Sequence, residues 1–218
     1  MLKATSVLVG LLLSISVVAG ELSVSLRQVD GQAMPNTVVY LTAKDPATLS
    51  ATNTISDKSA IMDQIDLQFS PHILVVQTNT RVRFPNSDSI KHHVYSFSPA
   101  KTFELQLYKG LQANPLLFDK SGIVELGCNV HDWMLAYIQV VDTPYFGKTD
   151  AAGQLQLSVP DGEYQITFWH PRISQEEKQL SQSISLPAQQ HFSLNLTNPL
   201  LPDLSQYEQH QGDFSEYE

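Results

Sequence analysis

The chain has a single cysteine, Cys128, and so no disulfide of its own. It lacks any basic cluster longer than two residues, and its formal charge is −9 over 218 residues. That balance excludes the electrostatic footprint of a nucleic-acid binder. No stretch keeps a 3.6-residue period long enough for a substantial helix. G-x-S-x-G, H-E-x-x-H and P-loop patterns are all missing. Long hydrophobic runs are confined to the amino terminus, where Lys3 is followed by an uncharged stretch from Ala4 to Gly20. A charged start, an apolar middle at Val7–Leu13 and a small-residue exit at Ala19-Gly20 describe an export signal over residues 1–20. The run is short for a membrane span and no stop-transfer pattern follows, though an uncleaved anchor is the rival reading. The expectation is a periplasmic protein with no membrane span once the signal is removed.

What remains is 198 residues (218 − 20), written almost entirely in strand patterns. Apolar residues alternate through Ile65–Phe69, Val82–Phe84, Phe103–Leu107, Leu155–Val159 and Phe192–Leu196. Turn signals separate them at Asp30-Gly31, Pro85–Asp88, Lys120–Gly122, Ala152-Gly153 and Pro160–Gly162. Many short strands at this spacing predict an all-β fold, a sandwich or barrel. The composition divides the chain into residues 21–59, too few to fold alone, a strand-rich block over 60–142, a second block over 143–198, and an acidic tail over 199–218.

A free thiol in an oxidising compartment is a liability unless it is buried or occupied. Cys128 opens Cys128-Asn129-Val130-His131-Asp132-Trp133-Met134, a C-x-x-H-x-x-M run between two strand patterns. A thiolate, an imidazole and a thioether within seven residues can wrap one ion. Thiolate with thioether selects soft metals, and two histidines, one cysteine and a weak axial methionine make a copper set. The second histidine lies upstream in Asn86–Tyr95, where His92 precedes Cys128 by 36 residues (128 − 92). His93 is the competing ligand, but neighbours on a strand point to opposite faces, so only one of the two can face the ion. A dinuclear copper site needing two cysteines is excluded by the count of one. A Cys-His protease dyad leaves His92 and Met134 unexplained, so no enzyme activity is expected.

The block from Phe69 to Val141 resembles the cupredoxin family, with a ligand loop similar to those of amicyanin, pseudoazurin and plastocyanin. The residues that carry the resemblance are Phe84-Pro85-Asn86, then His92, then Cys128, His131 and Met134 with a short His–Met gap. The resemblance implies a Greek-key β-sandwich holding one copper ion per chain, cycling between Cu(I) and Cu(II), with His92 favoured over His93. The family pattern has Asn where this chain has His93, whose backbone N–H is then the candidate donor to the Cys128 sulfur. The family also implies that the His131 ring edge reaches the surface as the electron exit. Weak, transient docking to a cytochrome c or a periplasmic dehydrogenase follows from the same likeness. The whole chain is also similar to proteins labelled methylamine-utilisation protein. Two other readings remain: a copper carrier without electron transfer, and a metal-free interaction module.

The flanks carry a second resemblance. Thr149-Asp150-x-x-Gly153 and Pro160-x-Gly162-x-Tyr164, with Val38–Leu41, look like a carboxypeptidase-regulatory, transthyretin-like sandwich. This predicts a second, smaller β-sandwich in which Val24–Leu41 pairs on residues 149–196. Among the other histidines, His170 reads as structural or surface, and His72, His191 and His210 as solvated.

Overall fold

The computed structural model describes residues 19–45, 58–110, 114–174, 176–177 and 180–203. Residues 1–18 of the expected export signal and 204–218 of the acidic tail lie outside them. Among the described residues no helix is long and apolar enough to cross a membrane.

The chain is all-β, as the alternation predicts. β1 (Ala19–Arg27) and β2 (Val38–Ala43) come first. β3 (Ser59–Ile61), β4 (Asp63–Ile65), β5 (Gln68–Ser70), β6 (Ile73–Gln77) and β7 (Thr80–Arg83) follow. Next are β8 (His92–Ser98), β9 (Lys101–Tyr108), β10 (Leu116–Phe118), β11 (Gly122–Gly127) and β12 (Leu135–Val141). β13 (Phe146–Lys148), β14 (Gln154–Pro160), β15 (Gly162–Trp169), β16 (Ser181–Leu186) and β17 (His191–Asn195) complete the order.

These strands build two separate cores. The first lies between a five-stranded sheet, β6-β12-β11-β8-β9, and the smaller β10-β7-β3 sheet with the β4-β5 hairpin. Val94, Val124, Leu126, Ala136 and Ile138 from the larger sheet meet Met62, Phe69, Val82 and Phe84 from the other side. Pairs such as Val124 and Leu126 in β11, and Ala136 and Ile138 in β12, are alternate residues of one strand, which is why the period of two in the sequence becomes a buried face.

The second core lies between β14-β1-β17 and β13-β2-β15-β16. Leu22, Val24 and Leu26 of β1 face Val39 and Leu41 of β2 and Tyr164, Ile166 and Phe168 of β15 across it. β1 runs antiparallel to β14 and parallel to β17, and β2 pairs with β13 and β15. The chain therefore starts the second sandwich, leaves it after β2 to build the whole first one, and returns at β13.

One expected strand is broken. Ile65–Phe69 reads as a single alternating run, but Asp66 and Leu67 form the turn of the β4-β5 hairpin, with φ of 54° and 58°. Left-handed backbone is costly for a leucine, and no glycine or asparagine announces this turn. What holds it is Asp88, whose carboxylate accepts the backbone N–H of both Asp66 (2.7 Å) and Leu67 (3.1 Å).

Candidate metal centre

Two loops and two strands deliver the site. His92 opens β8, and the register between β8 and β9 is irregular between His92 and Val94. Such irregularities re-aim side chains beside sites. The loop before it is tied by Asn86, whose Nδ2 donates to the carbonyls of Ile90 (2.9 Å) and Tyr108 (2.8 Å) and whose Oδ1 accepts the Asp88 N–H (3.0 Å). Cys128 stands just past the end of β11, and Met134 just before β12, with its N–H bonded to the His131 carbonyl (3.0 Å).

The ligand atoms of His92, Cys128 and His131 all lie within 4.8 Å of one another. All three residues are buried, both histidines completely. The Cys128 sulfur is 4.0 Å from His131 Nδ1. His92 is anchored on the far side: Asp88 Oδ2 lies 2.7 Å from its Nε2. A carboxylate there accepts the Nε2 proton and leaves Nδ1 as the free lone pair. Nδ1 is buried and has no hydrogen-bond partner among the described residues. A buried imidazole nitrogen without a partner is costly, and a metal ion relieves it. Met134 is 1% exposed, belongs to the same apolar cluster as Cys128 and lines the same groove.

His93 goes elsewhere. Its Nε2 lies 2.8 Å from Glu104 Oε1, a side chain that is 56% exposed on the outer face of the sheet. The two adjacent histidines thus take opposite faces, and His92 joins the cluster. The backbone N–H of His93 nevertheless serves the site, since it donates to Cys128 along with the N–H groups of Val130 and His131.

The electrostatics suit a thiolate. Burial pushes the Cys128 thiol up, but His92 and the three backbone N–H groups outweigh it, and the net shift is downward. Burial pushes His92 down, while its contacts with Cys128 and Asp88 raise it further than burial lowers it. His131 is held down, first by burial and then by the neighbouring His92. The loop therefore favours an anionic sulfur, with His131 held toward the neutral form and His92 drawn toward the protonated form by the thiolate and Asp88, a proton that an ion bound at this set would displace.

Two expectations need correction. The exposed His131 edge implied by the family likeness is absent, because His131 is fully buried and the Trp133 ring packs on it, with centroids 5.1 Å apart. Trp133 Nε1 donates to the Leu67 carbonyl at 3.2 Å, so the hairpin turn closes over this end of the site. His72 is not solvated: its Nδ1 bonds the Leu135 carbonyl (2.9 Å), and its ring meets Tyr137 edge-on at 5.6 Å. The residue that sequence reasoning missed is Asp88, which touches both His92 and the hairpin turn. Its only signal was its place four residues before His92.

No family model matches the chain, and no curated protein does. Among solved structures the chain is similar to a Cu-containing nitrite reductase from Thermus scotoductus SA-01, at 18% identity over 45% of this chain, with a TM-score of 0.37. That match spans 26% of the reductase chain. It is also similar to a reduced Cu(I) form of an amicyanin variant, at 18% identity over 47% of this chain and 97% of the other, with a TM-score of 0.35. An oxidised amicyanin variant gives 17%, 46% and 98% in the same terms, again with a TM-score of 0.35.

Proposed function

We propose that this chain is a periplasmic, cupredoxin-like electron carrier that binds one copper ion through His92, Cys128, His131 and Met134. The observation that carries the reading is the buried set itself. One thiol and two imidazoles converge within 4.8 Å, and the inner nitrogen of His92 has no hydrogen-bond partner among the described residues. Copper, when bound there, supplies a one-electron couple. The residues that would hold it are Cys128, as the anionic thiolate, His92 and His131, as the two imidazole donors, and Met134, as a weak thioether donor that would tune the potential. Asp88 and the backbone N–H of His93 fix the orientation of His92 and of the Cys128 sulfur. A set held from outside in this way changes little between two oxidation states, which suits electron transfer rather than conversion of a substrate.

The test is a visible absorption spectrum of the chain with one equivalent of Cu(II), beside Cys128→Ser. The expected result is an intense thiolate-to-copper charge-transfer band, bleached reversibly by a mild reductant and missing in the variant. A colourless complex means that copper is carried rather than cycled, or not bound, and the electron-transfer reading then fails.

A further inference from the structure

All of the proposed ligands are buried, and the face of the protein nearest Cys128 and Met134 carries a groove. The groove, of about 620 Å³, runs along β8 and β11, and Cys128 and Met134 form part of its floor. Its wall is aromatic: Tyr95 and Phe97 pack 5.2 Å apart on one face of β8, and Phe97 is 80% exposed. Tyr95 lies directly over the residue before the cysteine. A Cβ placed on Gly127 would fall 2.6 Å from Tyr95 Cζ, so glycine is what lets the ring rest on the backbone there. The rim is acidic. Glu125 and Asp132 are both exposed, and no lysine or arginine is among the described lining residues. Glu104, cross-strand from Tyr95, extends the acidic side.

An exposed phenylalanine costs solubility, and contiguous apolar surface rimmed by charge is typical of a docking site. Here it borders Cys128, while Trp133 and the hairpin turn cover the His131 end. We propose that this groove is the docking surface for a one-electron redox protein whose cofactor edge is apolar and ringed by lysines. The electron then crosses between that edge and Cys128 by way of Phe97, Tyr95 and the Gly127 backbone. One electron moves per encounter, the partner's cofactor changing by one oxidation level, with no bond made or broken and no proton transferred. The proposal rests on the copper reading and identifies the partner by its charge and shape.

The experiment is a titration of the full chain, metal-free and copper-loaded, with reduced cytochrome c as a lysine-rich probe at low salt. Binding is read by NMR chemical-shift changes. E125K/D132K is expected to weaken binding about fivefold or more, and F97A to weaken it measurably, with the charge-transfer band of both variants unchanged. E21K/E163K makes the same change in net charge on the second sandwich, at two exposed positions, and is expected to bind like the unmodified chain. Binding that is unchanged in E125K/D132K and F97A, or weakened equally by E21K/E163K, overturns the docking surface. Failure of the unmodified chain to show the charge-transfer band overturns the copper reading instead, whatever the metal-free titration gives.

Discussion

Asp88 accepts three hydrogen bonds, from His92 Nε2 and from the N–H groups of Asp66 and Leu67. One carboxylate therefore orients the His92 ring and holds a strained turn. Asp88→Ala should lower copper affinity by about 10–100-fold in competition with a chelator. Asp88→Asn should lose less, because its Oδ1 still accepts the Nε2 proton. Unchanged affinity in Asp88→Ala would show that the carboxylate is only a turn cap. A second residue makes a prediction in pH. His170 is held down to about 4, by burial first and then by Arg172 and His72, against Asp203. Because that value lies below the ordinary 6.5, the unfolded chain binds the extra proton between the two. The stabilisation is complete above pH 6.5 and is lost as pH falls toward 4, on the order of 3 kcal/mol at the acid end. His170→Gln should flatten the fall of unfolding free energy over that window, measured by denaturant titration at several pH values. An equally steep fall would assign the acid sensitivity to other groups.

At the scale of elements, the turn after Asp150 shows how local chemistry fixes a strand register. Asp150 Oδ1 accepts the N–H of Ala152 (2.9 Å) and Gln154 (2.8 Å), and Gly153 adopts φ +72°. A Cβ on Gly153 would lie 2.4 Å from the Leu26 carbonyl of β1. Gly153→Ala is thus strained in its own torsion and collides with backbone, and should destabilise the second sandwich by about 2–3 kcal/mol. Chemical denaturation checks this, with the copper spectrum expected to keep its position. This turn was readable in the sequence because Asp-x-x-Gly states its own geometry, and so was C-x-x-H-x-x-M, whose members are close along the chain. The β4-β5 hairpin was not, because its turn residues follow no local rule and are held by a carboxylate 21 and 22 residues away. The burial of His131 was hidden for the same reason: the lid over it joins Trp133 to a carbonyl 66 residues earlier. Alternation reports which face is buried, but not which segment will cover a particular side chain.

At the scale of the whole molecule, the two cores meet along a seam. Lys148 Nζ donates to the Ile73 carbonyl (2.7 Å), and the Tyr137 and Trp169 rings meet edge-on at 5.6 Å. Residues 58–142 carry the first core and every proposed ligand, so that segment produced alone should fold and show the same charge-transfer band as the full chain. Loss of the band would mean that the seam holds the ligand loops in place. Deleting residues 19–43 should abolish the second sandwich, since β1 and β2 are each flanked by a strand on both sides in their sheets. The same nesting imposes an order on synthesis. Because the chain is delivered amino terminus first, β1 and β2 at first have no partners, and the N–H of Thr37 waits for an acceptor 112 residues further on. The apolar edges carrying Leu22, Val24, Leu26 and Leu41 stay bare while the inner sandwich is made and closes first. Every nascent chain thus passes through a stage with one finished domain and two sticky, unpaired ribbons, the stage at which a holding chaperone has most to protect.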